Sequence, residues 1–344
     1  MGCLDLTVTD GAQTSIRRPV SGGGPLPGGA APAGCRFPLR TAAGVGIPLQ
    51  TQVLASWADG SARWVLLDFM LSSGTAPRTS LQFVYGDDAV PCQEGAAGVP
   101  LQAQLRQGQL HLADMGPVTL TMVTGDGTVC GATFTHEETE CVGPVRATTQ
   151  FHGAFAFPDG EHLMSLRLRL SRYQGSSLVR LEPLLLVDTP SGILQHIQEL
   201  RLDLSTDAAT SIAVGGTEWQ GSPEDRVRLF QVDDEAWRLE GAVGAGARAP
   251  GWFELHTSQG RTSAVLRDFR QQWPKSLEVA PGRASVGLFP AFNEGDFAHM
   301  TPWFKYQYLF EGSCYRLRTG QARRWEIWLG TDINGDTLCR SVNR

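Results

Sequence analysis

Between His162 and Leu170 the chain alternates strictly at its end, with Leu166, Leu168 and Leu170 separated by Arg167 and Arg169. A period of two predicts a strand whose leucines face a core and whose arginines face the other way. The preceding run, Gln150 to Phe157, is joined to it through Pro158-Asp159-Gly160, which predicts a hairpin. The same device occurs earlier: Gln52 to Trp57 and Arg63 to Phe69 flank Asp59-Gly60, where a tight turn needs positive backbone angles. Trp57 and Trp64 bracket this turn and are expected in its core. Further short apolar runs recur at Leu81–Val84, Leu101–Leu105, Leu110–Ala113, Val118–Val123, Ala132–His136 and Ser177–Val187. Regular short runs separated by polar turns are the pattern of stacked antiparallel sheets.

No window sustains a 3.6-residue apolar period with caps, so helix should be scarce. Forty Gly and 20 Pro among 344 residues reinforce an all-β expectation. The Gly- and Pro-rich stretch Gly86–Pro100 reads as a linker. Residues 1–88 are accordingly expected to form a small β-barrel and residues 89–344 a large antiparallel β-sandwich.

Composition narrows the function classes. A net charge of −6 without a basic tract argues against nucleic acid, and no apolar run approaches a membrane span. Met1 leads directly into Leu4-Asp5-Leu6 without a secretion signal, so the expected location is cytoplasmic, or extracellular after processing. Gly2-Cys3 does not make a lipidation site, because position 6 is Leu where a myristoylation pattern needs Ser or Thr. The seven cysteines are odd in number and lack a Cys-x-x-Cys, against a zinc site; Cys130 and Cys141 are the pair close enough to suggest facing strands.

One ordered set of motifs carries a family resemblance. Pro19-Val20, Gly24-Pro25-Leu26-Pro27-Gly28, Gly46-Ile47-Pro48-Leu49-Gln50 and Trp57-Ala58-Asp59-Gly60-Ser61-Ala62-Arg63-Trp64 resemble the N-terminal RIFT-type barrel of the exo-acting rhamnogalacturonan lyases and their bacterial relatives. Gly143-Pro144-Val145-Arg146, Arg169 to Ser176, Gly251-Trp252-Phe253 and Arg267 to Leu277 are similar, in order, to the central β-sandwich of that family. The resemblance runs from about Arg18 to about Leu329. It implies recognition, and β-elimination, of a rhamnose- and uronate-containing polysaccharide. Two departures favour a competing reading, a glycan-binding or structural module without catalysis. The family's large C-terminal domain has no counterpart in this sequence, and its Gly-x-Ala-Lys-Thr-His-Glu run is here Gly320-Gln321-Ala322-Arg323-Arg324-Trp325-Glu326, with an indole in place of the imidazole.

Elimination beside a uronate carboxylate needs a base, together with cations or donors that stabilise the developing enolate. The segment Arg267–Tyr308 is the densest supply, and it contains both lysines of the chain, Lys275 and Lys305. His299, Lys275 and Tyr306 are the catalytic candidates. Gln271, Trp273, Trp303 and Arg323, with Arg146, Arg169 and Tyr173 further upstream, are the candidates for binding an acidic polysaccharide or oligosaccharide. For the two arginines an ion pair with Glu182 or Glu140 is the competing explanation. Asp233-Asp234-Glu235 and Glu137-Glu138 read as solvated loop charges. Asp332-Ile333-Asn334-Gly335-Asp336 lacks the full oxygen spacing of a calcium loop and reads as an Asn-Gly hairpin turn. No metal or cofactor is expected.

Overall fold

The computed structural model describes residues 2–9, 16–72, 78–86, 103–113, 115–190, 192–300 and 309–343. The expected linker after Gly86 lies outside them. Nearly all regular structure is antiparallel strand, as the alternating pattern requires.

Two small sheets come first. In one the order is Gly2–Thr9, Arg78–Tyr85, Leu39–Thr41 and Gly46–Ile47; in the other, Ala62–Ser72 lies between Arg17–Pro25 and Leu49–Ser56. Val65, Leu67, Phe69 and Leu71 project from one face of Ala62–Ser72 into a core with Leu39, Leu81 and Phe83. Burying these side chains against each other is what holds the two sheets together, at roughly 1.5–3 kcal/mol per large side chain.

The Asp59-Gly60 hairpin forms, with Trp57 N–H donating to the Ser61 carbonyl at 2.8 Å and Gly60 N–H donating to the Trp57 carbonyl at 3.0 Å. Of the two turn residues it is Gly60 that takes a positive φ, +82°. Asp59 instead caps the turn through its carboxylate, accepting from Ser61 N–H at 2.9 Å. Pro158-Asp159-Gly160 repeats this arrangement, with Gly160 at φ +91° and Glu161 N–H donating to Asp159 at 3.0 Å. The expectation for the flanking tryptophans is corrected: Trp57 and Trp64 are 39% and 43% exposed, because they project from the face opposite Val65 or from the turn itself.

Two large sheets follow. The first has the order Ala103–Arg106, Gln109–Leu112, Gly116–Thr124, Leu194–Ser205, Arg283–Phe289, Lys275–Ala280, Val227–Gln231, Trp237–Glu240 and Ala245–Gly246, with Cys314–Arg318 completing the edge of Leu194–Ser205. The second runs Val129–Val142, Arg146–Ala156, His162–Tyr173, Leu178–Leu186, Ile327–Thr331, Gly260–Leu266, Trp252–Thr257, Ala209–Val214 and Gln220–Gly221. Val129–Val142 starts in the first sheet and bends into the second, through register shifts after Phe134 and Thr139. Leu120, Met122, Leu200 and Leu202 of one sheet and Phe151, Leu166, Leu168, Leu170 and Leu181 of the other share a single core, the interior of the sandwich.

Two local expectations change. Asn334-Gly335 opens a helix, Gly335–Val342, rather than a hairpin: the Asn334 side chain accepts from Asp336 and Thr337 N–H at 3.1 and 3.2 Å, the work of an N-cap. Cys130 and Cys141 are both free, because Cys130 pairs with Met122 and Cys141 with Thr148 on different neighbours. A third cluster joins Met70, Val145, Tyr173, Leu178, Trp328 and Leu338, so the back of Ala62–Ser72 packs on the second large sheet beside the helix.

Candidate functional site

At that junction lies a cavity of about 220 Å³, walled by Arg18 to Ser21, Tyr173, Leu178, Arg180, Arg267, Glu326, Trp328, Ser341 and Val342. Its position follows from strand alternation. In Leu178–Leu186 the polar residues Arg180 and Glu182 share one face, and the residues paired with them there, Ser171 and Arg169, come from His162–Tyr173. Trp328 is the register partner of Arg180 across the next strand. Tyr173 stacks on Trp328, ring centroids 5.9 Å apart at 16°, and the Arg180 guanidinium stands 5.7 Å above the Trp328 ring.

The charges around the cavity are held by carboxylates. Arg180 pairs with Glu182 at 3.1 Å, and Arg324 reaches the same carboxylate at 2.9 Å. Arg267 meets Glu326 at 3.3 Å, and Glu326 also accepts from the Trp328 indole at 2.7 Å. From the N-terminal sheets, Asp68 pairs with Arg146 at 3.0 Å and accepts from Ser21. Gln50 accepts from the backbone N–H groups of Val145 and Arg146 at 3.2 and 2.8 Å. Burial opposes the charge of Arg180, and Tyr173 with Glu182, Glu326 and Asp68 outweighs it, so the guanidinium is held above its ordinary value. Burial likewise pushes the Tyr173 phenol up to about 12, against the pull of Arg180 and Arg146. At neutral pH the site therefore presents fixed guanidinium groups and a protonated phenol.

The structure separates the sequence candidates. Tyr173 lines the cavity and Arg146 lies behind it, on Asp68. Arg169 lies farther along the same face, outside the cavity lining, where it is half exposed and pairs with Glu140 at 2.7 Å. Lys275 lies in the first sheet, 3% exposed, its ammonium donating to the Gln272 and Pro274 carbonyls at 2.5 and 2.9 Å and standing 5.9 Å from the Phe289 ring centre. Burial, with Arg323 nearby, lowers it to about 7. Gln271 is exposed on the turn before it, Trp273 packs part-buried against the sandwich core, and Arg323 is exposed. Trp325, in place of the family's histidine, is buried edge-on against Phe289 at 5.2 Å. His299 is 51% exposed and meets Asp233 at 3.1 Å, which gives that carboxylate a structural partner. Trp303 and Tyr306 lie outside the described residues.

Arg18, Asp68, Arg180 and Trp328 were not singled out by the sequence. The available signal was Arg180-Leu181-Glu182, two charges at strand spacing inside an otherwise apolar run. Among the described residues no group of three or more His, Cys, Asp or Glu side chains is placed to hold a metal ion. A second cavity of about 350 Å³, bordered by Met115, Leu204, Asp207 and Leu255, is mostly apolar. No helix among the described residues is long and apolar enough to cross a membrane.

Comparison with known proteins now bears on the N-terminal sheets. Residues 4–82 match the family model of the PcRGLX-like N-terminal RIFT barrel domain. This part of the chain is a RIFT barrel domain. The whole chain is similar in fold to two solved structures. An α-mannosidase from Enterococcus faecalis V583 superposes with a TM-score of 0.52 at 10% identity, over 96% of this chain and 43% of that one. A protein in the glycosyl hydrolase family 38 from Enterococcus faecalis gives 0.52 and 10% over 95% of this chain and 44% of that one. The chain thus spans less than half the length of either. No curated protein matches it by sequence.

Proposed function

We propose that this chain recognises an acidic saccharide, holding a uronate-bearing residue in the cavity between the RIFT barrel and the sandwich. One observation carries the reading: Arg180 and Arg267 both line a single void whose wall also includes the Tyr173–Trp328 stack. Guanidinium forks suit a carboxylate, and aromatic edges suit the apolar face of a sugar ring. The volume, about 220 Å³, is below the roughly 300–1,000 Å³ of drug-sized pockets, so one residue of a chain enters rather than a polymer. The N-terminal RIFT match and the motif resemblance through the sandwich support a rhamnose- and uronate-containing polysaccharide as its source.

The cavity is better suited to binding than to turnover. A phenol held near 12 is a poor base at neutral pH, and His299 is committed to Asp233 on another surface. β-Elimination is the second reading, favoured by the motif resemblance to the lyases; Lys275, though lowered to about 7, is buried in the first sheet and does not line the cavity. In that reaction a base takes the proton beside the carboxylate, a carbon–carbon double bond forms, and the glycosidic C–O bond breaks with its electron pair going to the leaving oxygen, which takes a proton from water.

Calorimetry with galacturonic acid and rhamnogalacturonan oligosaccharides tests binding, and the ultraviolet absorbance of an unsaturated uronate tests elimination. Binding that weakens at least tenfold in Arg267→Met, without an unsaturated product, is the expected result. Equal affinity for neutral and acidic sugars would overturn the carboxylate assignment.

A further inference from the structure

We propose that Trp64 extends the cavity into a track, stacking a second sugar of the same saccharide chain whose uronate residue occupies the cavity. The inference rests on the acidic-saccharide reading above. Strand Ala62–Ser72 is paired without a register shift to Arg17–Pro25, so its two faces can be followed residue by residue. Val65, Leu67, Phe69 and Leu71 enter the barrel core. Trp64, Leu66, Asp68 and Met70 form the opposite row. Met70 packs with Val145, Tyr173 and Leu178, and Asp68 holds Arg146 and Ser21 at the cavity. Trp64 is the exposed end of this row, four residues from Asp68, or ~13 Å along the strand.

The neighbouring strand carries the same line. Ser21, opposite Asp68, lines the cavity, and Gly23, opposite Leu66, follows it outward. A Cβ at Gly23 would lie 2.4 Å from the Trp64 indole nitrogen, so the ring rests on bare backbone and its position depends on that glycine. Gln52, paired with Leu66 from the other side, is exposed on the same face. A flat apolar face with polar groups at its rim, continuous with a cavity for a carboxylate, fits an oligosaccharide better than an apolar peptide.

Trp57 supplies the contrast within the same hairpin. Its indole N–H donates to the Leu26 carbonyl at 3.0 Å, and the Arg63 guanidinium covers its ring at 4.8 Å, so it is already occupied by the turn. Trp64 keeps its exposed face and lies on the row that leads to the cavity.

Calorimetric titration with galacturonic acid and with rhamnogalacturonan oligosaccharides of two, four and six residues separates the two proposals. Trp64→Ala should leave galacturonic acid binding unchanged and weaken the longer oligosaccharides about tenfold, equivalent to 1.4 kcal/mol. Trp64→Phe, which keeps a ring against Gly23, should recover most of that loss. Equal affinity of wild type and Trp64→Ala for every length overturns the track while leaving the cavity reading intact. An equal loss for the monosaccharide and the long oligosaccharides also overturns it, since the effect would then be on the fold. No binding of any acidic sugar by the wild type overturns both.

Discussion

The cavity at Arg180 and the enclosure around Lys275 both hold a cation away from water, and they treat it differently. Arg180 faces a void and is balanced by Glu182 on its own strand, with Glu326, just before Ile327–Thr331, and Asp68, from a strand of the RIFT barrel, close enough to favour its charge. Among the described residues Lys275 has the Gln272 and Pro274 carbonyls as acceptors, both within three positions of it, and the Phe289 ring as a wall. Carboxylates return most of what burial costs an ion, whereas carbonyl dipoles return less, and a lysine responds by releasing its proton. The first arrangement keeps a permanent charge ready for a ligand. The second makes a group that titrates near neutrality inside a packed sheet.

Breaking the cavity should have the largest effect. Arg180→Met leaves the buried Glu182 with Arg324 alone and removes the cation from above Trp328, a change that belongs to the class costing about 3–5 kcal/mol. A urea-denaturation midpoint well below the wild type, together with loss of acidic-sugar binding, is expected. Arg267→Met, at a more exposed position, should lose binding with little loss of stability. If Arg180→Met were as stable as the wild type, the ion cluster would not be holding the junction and the comparison with Lys275 would fail.

Lys275 should reveal itself through pH. Its folded value, about 7, lies below the ordinary 10.5, so between those values the unfolded chain holds a proton that the folded protein has released. Stability should therefore rise with pH across that window, by up to ~1.4 kcal/mol per pH unit, and the full burial penalty should be felt below pH 7. Lys275→Met removes the titrating group and should flatten the rise, with the two profiles converging at high pH. Denaturation midpoints measured from pH 6 to 10 check this; parallel profiles would mean that the ammonium stays charged in the fold.

The strands were legible because each alternates against one core, as at Leu166, Leu168 and Leu170, and because two Asp-Gly turns mark hairpins. The exposed tryptophans were not, since period two says which residues share a face but not which face another sheet will cover. The cavity was hidden for a related reason. Arg18, Asp68, Arg180, Arg267 and Glu326 are scattered over some 300 positions, and pairing by a β-strand register is what brings them together. The segment Arg267–Tyr308 looked dense in chemistry because its residues are neighbours in sequence, yet Arg267 joins the cavity while Lys275 and His299 go to separate surroundings.

The smallest effect should come from a residue that sequence reasoning grouped with the cavity. Arg146, Arg169 and Tyr173 share one face of a single hairpin, but Arg169 lies four residues along the strand from Tyr173, half exposed and bonded to Glu140 through Nε at 2.7 Å. An exposed pair of this kind is worth about 0–1 kcal/mol and weakens with salt. Arg169→Ala should therefore shift the denaturation midpoint only slightly and leave acidic-sugar affinity unchanged, while Arg146→Ala, which strips the buried Asp68 of its guanidinium, should alter both. A large affinity loss in Arg169→Ala would place the saccharide farther along that face, at the Arg169–Glu140 pair, and move the binding site away from the cavity.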